Sequence, residues 1–282
     1  MKQFGFRYAG IIFTVAIHKN DFSKPYLDHF RAYPAPDPAG IKIEALIEPR
    51  EHIINNAEVD KPPDCTINND ILNIVHPYYE GTYNLTQNEG NVSVSSLFAL
   101  MAFIRLIVSV VIIGRGGLAI HSSCIFKNNR AYIFSGSSGY GKSTIVKLTD
   151  KPLLYSDEVT LVRKDESGIF NVYHSPFRSE FNTEALNATE KIAGTFFLRQ
   201  DSRVYLEPLS QTQALIKLLP NVFFPVVERN PFEQKIFKIC LEFLSQVRAV
   251  VLHFKKDDSF WRCIDDEFSN LGTESRCDYQ NN

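Results

Sequence analysis

Gly136-Ser137-Ser138-Gly139-Tyr140-Gly141-Lys142-Ser143-Thr144 satisfies the phosphate-binding pattern GxxxxGK[ST], and its surroundings decide how the rest of the chain is read. Arg130 to Ser135 reads as a strand leading into it, and a helix is predicted from about Ser143, which is the context the pattern requires. The glycines let successive backbone N–H groups turn inward around a polyphosphate. The helix start adds the positive end of its dipole, and Lys142 reaches the terminal phosphates. The Ser143 hydroxyl is of the right type to ligate Mg²⁺. ATP with Mg²⁺ is therefore the expected ligand, held along the whole stretch from Gly136 to Thr144. A Gly/Ser-rich turn matching by chance is the bland alternative.

Working outward, Leu118 to Phe126 and Arg130 to Ser135 form a predicted hairpin around Asn128-Asn129. Downstream, strands are expected at Leu153 to Tyr155, Val159 to Arg163, Ile169 to Tyr173, Thr195 to Leu198 and Val250 to Phe254. Asn230-Pro231-Phe232-Glu233 has the composition of a helix start, for a helix reaching about Val247, and a short helix is expected from Asp257 or Ser259. This alternation points to an α/β core. Asp157 follows Lys142 by only 15 residues, so the loop helix returns directly into the acid-bearing strand and brings Asp157 and Glu158 beside the phosphates. A solvated turn pair is the alternative for these two acids.

Gly117-Leu118-Ala119-Ile120-His121-Ser122-Ser123-Cys124, then the loop, then Leu154-Tyr155-Ser156-Asp157-Glu158 resembles the kinase domain of HPr kinase/phosphorylase and its relatives. The likeness extends more faintly through His174-Ser175-Pro176-Phe177-Arg178-Ser179-Glu180 and covers roughly residues 95 to 265. It implies a P-loop-containing α/β core of HPr-kinase-like, phosphoenolpyruvate-carboxykinase-like fold, and transfer of the ATP γ-phosphoryl group to a hydroxyl. By the same resemblance His121 and Asp157 act in catalysis with Lys142. Asp157, Glu158, which stands where the family has a second Asp, and Glu180 join Ser143 around the metal. Without the resemblance His121 reads as a satisfied core histidine.

Residues 1–94 read as a β-rich N-terminal module, with Phe6 to Ala16 and Ile41 to Ile47 alternating and turns marked at Pro34 to Pro38 and Lys61 to Asp64. The kinase domain is then placed at 95–271 and a polar tail at 272–282. The apolar run Leu97 to Ile113, capped by Ser95 or Ser96, carries Arg105 near its middle and reads as a buried helix rather than a membrane span. A net charge of −2 on 282 residues supplies no bulk attraction to nucleic acid or anionic lipid. Five scattered cysteines without a CxxC pair fit a reducing compartment, and the N-terminus shows no secretory pattern, so a cytoplasmic location is expected. The expected partners are a nucleotide and a protein, peptide or small-molecule hydroxyl acceptor, and a homo-oligomer is compatible with the apolar helix. A nucleotide-binding regulatory or assembly protein without turnover is the alternative function.

Overall fold

The computed structural model describes residues 2–18, 40–48, 61–137, 139–150, 153–175, 177, 189–227 and 231–268. The alternating run Phe6 to Ala16 falls in a hairpin, β1 (Lys2–Tyr8) and β2 (Ile11–His18), with Tyr8 opposite Ile11. Its turn is made by Ala9 (φ 49°) and Gly10 (φ 72°), and an alanine gives no sequence warning of a left-handed turn. β3 (Ile41–Ile47) then lies parallel to β2 and to β7 (Glu89–Val94), and β4 (Asp64–Asn68), β5 (Ile71–His76) and β6 (Tyr79–Asn84) complete a seven-stranded sheet in the order β1-β2-β3-β7-β6-β5-β4. The Pro34 to Pro38 turn lies outside the described residues.

Ser96 starts helix α1 (Leu97–Gly114), its hydroxyl accepting from the Ala99 N–H at 3.2 Å. By length and composition α1 could cross a membrane, with a mean hydropathy of 2.6, and 67% of that stretch is buried inside the protein. Its apolar residues pack with Phe6, Phe13 and Ile43 of the N-terminal sheet and with Ala119, Val159 and Leu161 beyond it, in one continuous cluster. Each fully buried aliphatic or aromatic side chain contributes roughly 1.5–3 kcal/mol, so this helix is the main adhesive between the two halves.

The second half is a closed five-stranded barrel. β8 (Gly117–Lys127) pairs with β9 (Arg130–Ser135), β9 lies parallel to β13 (Thr189–Gln200), and β12 (Phe170–Tyr173) and β11 (Val159–Lys164) lead antiparallel back to β8. β10 (Leu153–Ser156) also joins β8, while β15 (Ala249–Phe254) extends β13 in parallel and carries β14 (Tyr205–Pro208) on its outer edge. Helices α2 (Lys142–Leu148), α3 (Gln211–Leu218), α4 (Glu233–Gln246) and α5 (Ser259–Phe268) pack around it. The Asn230 cap proposed for α4 lies outside the described residues.

This overturns the expected α/β, HPr-kinase-like and phosphoenolpyruvate-carboxykinase-like core, because the chain is mostly β, with few helices. Between residues 153 and 173 the strands follow one another through short turns, one of them built by Asp165, whose carboxylate accepts from the N–H groups of Ser167 and Ile169. β10 and β11 lie one after the other along the same edge of β8, and β11 turns back antiparallel onto β12, so no crossover helix is needed and strand-helix alternation was the wrong summary of this stretch.

Candidate functional site

β8 is the strand on which the site is assembled, because it has different neighbours on its two edges. Ser122 lies opposite Ser135, the last residue of β9, and Val159 lies opposite His121. The mouth of the 136–144 loop and the Asp157-Glu158 pair therefore flank His121-Ser122-Ser123, about 10 Å apart at two strand spacings. Asp157-Glu158 interrupts the chain between β10 and β11, yet its backbone is stitched to β8. The Ser122 N–H donates to the Glu158 carbonyl at 3.1 Å, and the Ser123 hydroxyl donates to the Asp157 carbonyl at 3.4 Å.

Buried hydroxyls join β8 to its neighbours β9, β10 and β11. Ser122 Oγ donates to Thr160 Oγ1 at 2.6 Å, Thr160 and Ser156 share a hydrogen bond at 2.5 Å, and Ser135 Oγ donates to the His121 carbonyl at 3.1 Å. A buried network of this kind is stable only when each member is satisfied, and it then fixes geometry closely.

The loop has the strained backbone its glycines allow. Gly139 (φ 83°) and Gly141 (φ 106°) occupy the left-handed region. At Gly141 a Cβ would also stand 2.6 Å from Phe254 Cζ, so the loop is pressed against the end of β15. Lys142 is 9% exposed and its ammonium lies back over the loop, donating to the carbonyls of Gly136 at 2.7 Å and Ser137 at 3.3 Å. Burial lowers its pKa from the usual lysine value. Ser143 and Thr144 are half-buried on the first turn of α2, and Tyr140 is exposed at the rim.

Across β8, Asp157 is buried, at 6% exposure, and Glu158 is ion-paired with Arg105 from α1. The guanidinium of Arg105 also lies 5.1 Å from the centre of the Phe223 ring. His121 has its pKa lowered by burial first, then by the charges of Lys142 and Arg105, which keeps the ring neutral around neutral pH.

The fold thus brings His121, Lys142, Ser143, Asp157 and Glu158 onto one strand and its two flanks. Ser138 and Glu180 lie outside the described residues. Sequence reasoning gave no role to Arg105, although a lone charge in an apolar helix was its signal, and it missed Phe254 and Gln200 as the wall behind Gly141. Among the described residues no three His, Cys, Asp or Glu side chains converge as a metal site. A divalent ion would then be held in the manner of Mg²⁺ in phosphate sites, by a hydroxyl, one carboxylate and the phosphates themselves. Ser143 and Asp157 have that donor chemistry, and the Glu158 carboxylate is paired with Arg105.

The family whose model matches is described as SynChlorMet cassette protein ScmC, over residues 89–269. No curated protein matches the chain. The match is not to an HPr kinase family, which overturns the resemblance drawn from His121, the loop and the acid pair. Short motifs of this kind report the needs of a phosphate site, which unrelated proteins share, and so they cannot name a lineage. The matched region takes in α1, the barrel, the loop and both acids, and the chain belongs to the ScmC family of SynChlorMet cassette proteins.

Proposed function

We propose that the chain binds ATP with Mg²⁺ at the Gly136 to Thr144 loop and transfers the γ-phosphoryl group to a hydroxyl acceptor. The observation that carries this reading is the approach of a complete phosphate-loop sequence and a buried acid to the two edges of one strand. Lys142 is held by two loop carbonyls, and exchanging these for phosphate oxygens would satisfy an ammonium that burial has made costly. Ser143 with the phosphate oxygens would hold Mg²⁺, whose chemistry is to neutralise phosphate charge, leaving the Asp157 carboxylate as base.

In the transfer step the acceptor oxygen forms a bond to the γ-phosphorus, the bond from that phosphorus to the β-γ bridging oxygen breaks, and ADP leaves with the electron pair. The acceptor proton passes to the Asp157 carboxylate. Neutral His121, beside the same strand edge, can orient either partner without adding charge.

A nucleotide-binding role without turnover is the second reading, favoured by the engagement of Glu158 with Arg105. The test uses γ-labelled ATP with the full-length chain, alone and with the other proteins of its cassette, comparing wild type with Asp157→Asn. Label on an acceptor, or released as phosphate, that disappears in the variant while ATP still binds supports transfer. ATP binding with no label moved by wild type favours the second reading. Absence of binding sinks both.

A further inference from the structure

Arg105 is the single charged residue of α1, and a charge in the middle of an apolar helix needs compensation. Part of that comes from Glu158 and part from the face of Phe223, whose backbone is fixed to β8 by a hydrogen bond from its N–H to the Ala119 carbonyl at 2.7 Å. The compensation is incomplete, because Arg105 Nε is buried with no hydrogen-bond partner. A guanidinium offers five N–H donors in a planar fork that suits phosphate oxygens.

The two partners differ in freedom. Arg105 projects from a helix wedged in the central core, whereas Glu158 is held to β8 through its backbone carbonyl and its side chain is 32% exposed. The Glu158 carboxylate can therefore swing away without moving the chain, and Arg105 stays in place. Arg105 reaches the site through Glu158, whose carbonyl accepts from the Ser122 N–H on the edge of β8 away from Ser135, where the loop begins. The loop itself carries Lys142 as its sole cation, fewer positive charges than a triphosphate brings negative ones.

Resting on the nucleotide-binding reading, we propose that Arg105 is a second phosphate-binding cation of the site, covered by Glu158 when no ligand is bound and taken over by the terminal phosphate of a nucleoside triphosphate. Glu158 is then a competitor of the ligand, and the pair discriminates triphosphate from diphosphate.

The experiment measures the affinity of the full chain for ATP and for ADP in the absence of Mg²⁺, so that only the protein's own cations meet the phosphates. Glu158→Gln should tighten ATP by about tenfold, the worth of one freed charge-assisted contact, and change ADP little. Arg105→Gln should bring ATP down to the ADP affinity, and the double variant should match it. Arg105→Lys, which keeps the charge but loses the fork, should fall between, and it serves where Arg105→Gln does not fold. An unchanged ATP/ADP ratio in Glu158→Gln overturns the proposal while leaving the loop reading intact, provided that Lys142→Ala weakens binding of both nucleotides. If wild type binds neither nucleotide, both fall together.

Discussion

Lys142 and Gly141 are adjacent, and their substitutions separate chemistry from architecture. Lys142→Ala removes a cation aimed at developing phosphate charge, so turnover should fall by on the order of 10²–10³ while the circular dichroism spectrum stays that of wild type. An unchanged rate in a binding-competent variant would remove the loop from the mechanism. Gly141→Ala acts on the fold instead. It demands a left-handed backbone, costing about 1–2 kcal/mol, and it drives a methyl group into the fully buried Phe254 ring, adding about 1–3 kcal/mol. Gly139→Ala shares the backbone strain but meets no atom within 4 Å, so urea unfolding should show the smaller loss there. Equal losses at the two positions would mean that Phe254 does not pack against the loop as described.

At the scale of elements, the β8/β9 hairpin sets which residues face the loop. Its turn is Asn128 (φ 52°) and Asn129 (φ 59°), a left-handed pair that asparagine tolerates and that was legible as Asn-Asn between two apolar runs. Asn129→Gly should be close to neutral in urea unfolding. Asn129→Val should cost about 1–2 kcal/mol, because a β-branched residue resists that conformation. If valine is tolerated there, the turn is not what fixes Ser122 opposite Ser135. The acid pair was legible for a related reason, since few residues separate it from Lys142 and the chain had to return at once. What sequence could not show was the partner of Arg105. An ion pair between residues 105 and 158 joins two elements whose separation in sequence carries no periodic signal.

For the whole molecule, barrel closure was the illegible step, because it depends on β9 and β13 lying parallel, with Phe134 opposite Phe196, far apart in sequence. With β15 also parallel to β13, the ends of all three strands come to the side where the loop emerges, and a cluster around the buried His253 ties the end of β15 to the end of β13 and to β14. His253 places Nδ1 3.0 Å from Asp201 Oδ2 and Nε2 2.9 Å from Glu207 Oε2, with Tyr205 stacked on the ring at 4.0 Å between centres. The hydrogen bond from His253 is the main cause that lowers the Asp201 carboxyl to about 2, and it also holds Glu207 below the ordinary glutamate value. Both carboxyls are lowered by folding, so their stabilising effect is complete above the ordinary values of 3.8 and 4.5 and is lost as pH falls toward 2. His253→Asn should therefore lose stability relative to wild type at pH 6, and the gap should close progressively on acidification below the carboxylate range. Lost packing alone would give a gap that does not change with pH. Because Phe254 follows His253 directly and seats the loop at Gly141, ATP affinity of the variant at pH 6 should drop along with stability. Urea unfolding at a series of pH values, paired with ATP titrations, checks both, and a pH-independent gap with wild-type ATP affinity would show that the cluster neither titrates with folding nor supports the loop.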